Sequence, residues 1–384
     1  MTSRSLTLPC LGLLALTTPL AAQEAAPPPK KPAPPIAAMS ALTFSPEGVL
    51  FVGDAVGAAV FALDLGPRTK SGEVKVVELA DLETKIAALV GTRADDVVIH
   101  DLAVDPLSWD IYLAVSRNRG KWQSVWAMPN DLGNATELVK IHQDGKLEGV
   151  DLAGVAFTRA DLPKPVAPGS KHQFKEGVDA RTEAITDLAW DDGKLWVAGL
   201  SNEEFSSAIW RLPYPFPASP AGITTVENYH VAHKTWETIS PVRTLVAHKL
   251  GGKSSLIAAY LCTPLVVYET ETLKDGAHVR GRTVSELGSG NYPLDMVVVE
   301  GSKDGPRLVI ANSSLPMMSV KLADIESFQG ELKEGVETYT AGVKGDYRPA
   351  GAVQQLDLLG PNHLVMLRRT PGGGLDLNTW QVAR

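Results

Sequence analysis

Residues 42–64, LTFSPEGVLFVGDAVGAAVFALD, contain an apolar alternating strand, a polar Ser-Pro-Glu-Gly turn, a second apolar strand and, after Ala-Val-Gly, a third. Period-two alternation broken by Gly, Pro, Asp and Ser is the pattern of an antiparallel meander. The unit recurs down the chain. LAVDP at 102–106 leads into IYLAV at 111–115, and LAWDDG at 188–193 leads into LWVAG at 195–199. Three further copies begin near Arg243, Met296 and Leu356 and end in LIAAY at 256–260, LVIAN at 308–312 and LVML at 364–367. Third strands follow at 59–63, 208–212 and 265–268, and residues 74–78, VKVVE, read as a fourth.

Four strands in a repeat of about 50 to 60 residues describe a blade of a β-propeller. The expected fold is therefore all-β, a propeller of six blades with four antiparallel strands each. A degenerate seventh blade around residues 147–157 is the alternative. A parallel α/β sheet would need an amphipathic helix between most strands. Only residues 79–90 carry helical spacing, at Leu79, Leu82, Ile86 and Leu89. Residues 162–177 read as a loop insertion between the second and third copies. A strand near Ile36 paired with residues 375–382 would close the ring and bury two otherwise exposed edges.

Outside the repeat, Arg4 precedes an apolar run at 6–16, with small residues at Ala21 and Ala22, as in a secretory leader. Residues 1–22 are read as a signal peptide and 23–35, rich in Pro, as an extended spacer. Residues 36–384 are then one propeller domain, periplasmic or secreted. The apolar run is shorter than the about 20 residues a membrane span needs, and no later stretch approaches that. Cys10 would leave with the leader, so Cys262 remains alone and no internal disulfide can form. With 36 basic and 44 acidic residues the formal net charge is −8, without a basic stripe, which argues against nucleic acid as a partner.

In a propeller, the residues just before the first strand of each blade and just after the second ring one mouth of the central channel. The starts supply His100, Asp101, Asp187, Asn291, Asp295 and Gln355. The returns supply Asp54, Arg117, Asn118, Asn202, Glu203, Cys262, Asn312, Ser313 and Arg368. Carboxylates and amides are oxygen donors suited to calcium or magnesium. Asp101, Asp187 and Asp295 occupy equivalent places, and carboxylates facing one axis repel unless a cation, proton or arginine compensates. The plainer reading is that each Asp caps backbone within its own blade.

The polar loop at 199–207, GLSNEEFSS, offers either a functional loop or a solubilising surface turn. His230, His233 and Glu237 form His-x2-His-x3-Glu, which on a helix would share a face and hold zinc or copper and on a strand would not. Cys262 is either a thiolate ligand or a sheltered structural thiol. Trp190, Trp196 and Trp210 read as packing between blades. No Gly-x-Ser-x-Gly elbow or phosphate-binding glycine loop is present, so serine-hydrolase and nucleotide readings have no support.

The pieces VLFVGDAVGAAVFALD at 49–64 and RLVIANSSLPMMSVKLAD at 307–324 resemble strand pairs of secreted propellers of the YVTN and quinoprotein amine dehydrogenase beta-chain superfamily. The resemblance implies the fold. Neither a tryptophylquinone motif nor a YVTN tetrapeptide occurs, so it implies no activity. Three functions remain open. The first is recognition of a small molecule or protein at the channel mouth on the top face. The second, by likeness of architecture to six-bladed calcium-dependent lactonases, is hydrolysis with Asp187, Asn202, Glu203, Asp295 and Asn312 around the ion. The third is a copper or redox role for Cys262 with His230 or His233.

Overall fold

The computed structural model describes Met1 and residues 32–382, apart from 118–135, 174–175, 220, 262, 289 and 333–339. It is an all-β propeller of six blades, numbered one to six in chain order. Blade one contains Met39–Phe44, Leu50–Asp54 and Ala59–Asp64; blade two contains Val97–Val104, Ile111–Arg117, Thr136–Ile141 and Leu147–Gly149. Blade three is built from Asp187–Asp191, Lys194–Leu200, Ser207–Pro213 and Gly222–His230; blade four from Val242–Leu250, Lys253–Tyr260, Pro264–Glu269 and Arg282–Glu286. Blade five holds Pro293–Val299, Arg307–Asn312, Met318–Lys321 and Asp346–Tyr347, and blade six holds Val353–Leu358, His363–Arg369 and Leu375–Gln381. Residues 2–31, which hold all but Met1 of the expected leader and most of the expected spacer, lie outside the described residues. No described helix is long and apolar enough to cross a membrane.

Local chemistry sets the hairpins. In blade three, Asp192 and Gly193 both take positive φ (44° and 76°), so the first two strands join through a two-residue turn that matches their twist. Second strands such as Leu50–Asp54 are buried along their whole length because a neighbouring blade covers each face. They read as unbroken apolar runs for the same reason that parallel strands buried on both faces do.

The blades do not follow one another round the ring in chain order. First strands touch in the sequence one, two, six, five, four, three and back to one. Among the described residues, each of the six gaps is filled by an apolar cluster. Phe61 and Tyr112 belong to the cluster between blades one and two, Val115 and Val365 to that between two and six, and Phe51 and Val197 to that between one and three. After blade one the chain passes outside blade two, where Ser71 N–H donates to Leu107 O and Lys75 N–H to Gln143 Oε1. It then builds blade two and returns past blade one, laying Ala156–Asp161 on that blade's outer edge on the way to blade three.

This path corrects three expectations. Residues 147–157 are no seventh blade: Leu147–Gly149 is the outer strand of blade two, and residue 156 opens the outer strand of blade one. Residues 74–78 are not blade one's fourth strand, because that edge is taken. They run along blade six instead, with Val77 N–H donating to Thr379 Oγ1 and Leu79 bridging Leu377. The seam between blades six and two is therefore closed from outside by residues 74–79 and the helix Leu82–Val90, whose Leu82, Ile86 and Ala87 enter the two–six cluster. Ile36 packs between blades one and two rather than pairing with the last strand.

Candidate functional site in the central channel

The first strands put one residue each at a common level: Ala41, Asp101, Asp187, Thr244, Asp295 and Gln355, opposite Gly53, Ala114, Ala198, Ala259, Ala311 and Leu367 on the second strands. In every blade but the third, the register shifts by one immediately before this residue, a bulge that turns the preceding side chain toward the axis. Ser40, His100, Arg243, Leu294 and Gln354 occupy those bulges. With Thr182, Glu183 and Thr186 they line a polar opening of about 350 Å³.

On the other side of this level the channel widens to about 800 Å³ toward the hairpin turns. Asp101, Asp187, Asp295 and Asp357 project into the wide part. Phe44, Leu188, Trp190, Leu245, Met296 and Leu356 supply much of its apolar wall. Trp190 also stacks on Phe51, 5.2 Å between ring centroids, so it serves the interface between blades as well as the channel.

Each of the four aspartates holds two backbone N–H groups. One belongs to the next residue and the other to the neighbouring blade. Asp101 Oδ1 accepts from Leu102 (2.8 Å) and Oδ2 from Leu42 (2.6 Å). Asp187 accepts from Leu188 and Leu245 (both 2.7 Å). Asp295 accepts from Met296 (2.7 Å) and Leu356 (2.8 Å), and Asp357 from Leu358 (2.6 Å) and Val104 (2.7 Å). The carboxylates are thus staples across four blade seams, and every staple points the same way round the ring.

Burial nevertheless raises all four. Asp101 is held well above the usual carboxylate range by burial and by the charges of Asp187 and Asp357. Asp295 is raised in the same way by burial and then by Asp101 and Asp187. Asp187 and Asp357 are each pushed up to about 6 by burial, against their N–H partners and, for Asp187, against Arg243. Among the described residues lining either opening, Arg243 is the one lysine or arginine. Burial, and then Arg243, lower the pKa of His100. The lumen is acidic overall. Gln355 donates Nε2 to His100 O while its buried Oε1 has no donor among the described residues.

The remaining residues marked on the sequence are placed elsewhere. His100 lies at the smaller opening and donates to, or accepts from, Ser116 Oγ at 2.8 Å. Asp54 caps the chain entry, accepting from Ala37, Ala38 and Gly57. Arg117 pairs with Glu137 at 3.0 Å, and Arg368 Nε donates to Gly351 O at 3.4 Å. Asn202 N–H donates to Lys164 O, and Glu203 forms an ion pair with Lys164, so that loop is tied to the segment after blade one's outer strand. Asn291 Nδ2 donates to Asn312 Oδ1 at 2.8 Å within blade five, and Ser313 Oγ accepts from Tyr292 N–H. Asn118 and Cys262 lie outside the described residues.

Of the five oxygen ligands expected for a calcium-type centre, Asp187 and Asp295 face the channel while Asn202, Glu203 and Asn312 do not. These five do not converge on one point. Among the described residues, three His, Asp or Glu donors come within 4.8 Å of one another at His230, His233 and Glu237 only. The strand-start rule overlooked Asp357 and Arg243. Asp357 sits two residues beyond the ring position in an apolar-polar-apolar triplet, and Arg243 occupies a bulge, which period-two reading does not register.

No family model matches the chain, and no curated protein matches it. Solved structures similar to it include the hydrazine synthase of Kuenenia stuttgartiensis, at 10% identity over 94% of this chain and 99% of that one, with a TM-score of 0.41. Domains 1–2 of Drosophila Semaphorin 1b match at 10% identity over 88% and 84%, TM-score 0.37. The Dos1 propeller matches at 10% over 88% of this chain and 66% of its own, TM-score 0.33. At such identity these are likenesses of fold, and none carries a residue role to this chain.

Proposed function

We propose that this protein is a recognition propeller whose receptor is the wide half of its channel, and that it takes a ligand with an apolar body and a cationic, hydrogen-bond-donating head. The observation that carries this reading is the set of four raised carboxylates, three at the ring level and Asp357 two residues beyond it, that project into a largely apolar cavity of about 800 Å³. That volume lies within the range of about 300–1,000 Å³ usual for small-molecule sites. Desolvated carboxylates lacking full compensation favour a cation over a neutral group of equal size. The unpaired Gln355 Oε1 just beyond is one more acceptor for a donor-rich head.

Thermal-shift titration with phenethylammonium and with its neutral isostere phenethyl alcohol tests the reading. The cation should stabilise the protein at pH 7.5, less so at pH 5, and Asp357→Asn should reduce the effect. Equal shifts from both probes, or none from either, would overturn it. Action outside the cytosol is part of the proposal and is supported by residues 1–22; the mass of the mature chain recovered from cells tests it.

A further inference from the structure

We propose that His230, His233 and Glu237 form a second site, apart from the channel, for a zinc-class divalent ion. His230 ends the fourth strand of blade three, and Glu237 closes the short strand Thr235–Glu237 that pairs back on it, with His230 opposite Thr235 and Asn228 opposite Glu237. That register puts His230 and Glu237 on one face of the hairpin, and Tyr229 and Trp236 on the other, where their rings meet at 5.5 Å. The turn between them, with Lys234 at φ 56°, folds His233 over the same face. Neither the helix nor the plain strand weighed from the spacing is used. A hairpin turn does the gathering.

Both imidazoles aim Nδ1 at one carboxylate oxygen: His230 at 2.8 Å and His233 at 2.7 Å from Glu237 Oε1. Glu237 Oε2 is buried and has no hydrogen-bond partner among the described residues. Zinc bonds of about 2.0–2.1 Å in a tetrahedron separate neighbouring donors by about 3.3 Å, so opening the trio by about half an ångström admits an ion. Two histidines and one glutamate are also a ligand set that leaves a fourth position free. Here that position lies beside His233, whose side chain is 55% exposed.

The far side of His230 is built as a metal-bound histidine requires. Its Nε2 lies 3.3 Å from Thr263 Oγ1 and 3.8 Å from Glu286 Oε2, and Thr263 donates its own hydroxyl to Glu286. Glu286 Oε1 accepts from Val231 N–H at 2.7 Å, which fixes the turn against blade four. A carboxylate and hydroxyl that accept a hydrogen bond from Nε2–H favour the tautomer whose Nδ1 carries the lone pair for an ion.

The test uses the full-length protein stripped with chelator and titrated with zinc against a chromophoric competitor. One equivalent should bind. His233→Ala, at an exposed position, should weaken binding at least about 100-fold without lowering Tm. Thr263→Val should weaken it about 10-fold or more, as loss of an orienting partner does. Cobalt(II) should give the intense visible bands of a tetrahedral site. No saturable zinc binding, or binding that His233→Ala leaves within about threefold of wild type, would overturn the site. Zinc stabilisation that survives His233→Ala but is lost in Asp187→Asn would place the ion in the channel and equally overturn it.

Discussion

Asp101 of blade two accepts the N–H of Leu42 in blade one, 59 residues earlier in the chain, at 2.6 Å. The bond runs from the later blade to the earlier one because the ring places blade two upstream of blade one. Asp187 to Leu245, Asp295 to Leu356 and Asp357 to Val104 repeat it in the same rotational sense. One geometric device therefore holds four seams, including the two–six seam where the chain order breaks. Asparagine retains only one acceptor oxygen, so Asp101→Asn leaves one of the two N–H groups without a partner. At low pH, where little charge repulsion is there to be relieved, it should cost about 1–3 kcal/mol, the usual penalty for an orphaned buried donor, read by urea unfolding.

Stability should fall as pH rises through the range where these groups lose their protons. Asp187 and Asp357 ionise at about 6 in the folded protein, against an ordinary 3.8. Between those values the folded chain binds more protons than the unfolded one, so their contribution is full below the ordinary value and lost as pH passes about 6. Carboxylates held low, such as Asp179, titrate below this window. The wild type should melt at a higher temperature at pH 5 than at pH 7.5, and the gap should narrow in Asp357→Asn. A gap unchanged by that substitution would refute the assignment.

The repeat was legible because each blade must bury both faces of its second strand, and that demand writes an apolar run such as LIAAY or LVIAN into every copy. The ring level was legible in part, since Asp101, Asp187 and Asp295 stand at the same point of their repeats. The order of the blades was not. Residues 74–78 have the alternation of an edge strand, and nothing in that pattern says whether the edge belongs to the blade before it or to blade six. Partner choice is a long-range matter: here Ala156–Asp161 holds the nearer edge. The trio at residues 230–237 was legible as spacing only; the turn that assembles it depends on Val231 being drawn into the core, with no exposed surface.

Closing the two–six seam from outside makes the helix Leu82–Val90 a structural clamp. Ile86 is fully buried between the two blades. Ile86→Ala should cost about 2–5 kcal/mol, the transfer loss plus the cavity left behind. Because the clamp serves one seam, hydrogen exchange should rise first in Val97–Val104 and Leu375–Gln381 and remain slow in blades three and four. A uniform rise would mean that the ring opens as a whole.

Asp101 and Asp295 sit in blades on either side of blade six, yet the charge of Asp101 raises Asp295 across the channel. Their mutual repulsion destabilises the fold wherever both are charged. Replacing either with Asn loses one hydrogen bond but also removes that repulsion; replacing the second removes another hydrogen bond with no repulsion left to relieve. The double substitution should therefore cost more than the sum of the singles at high pH, with the excess shrinking as pH falls and the carboxyls take up protons. A double-mutant cycle by urea unfolding at pH 5 and pH 9 measures that excess. Additivity at both pH values would mean that the two charges are screened from one another, and that the channel is wetter than its apolar wall implies.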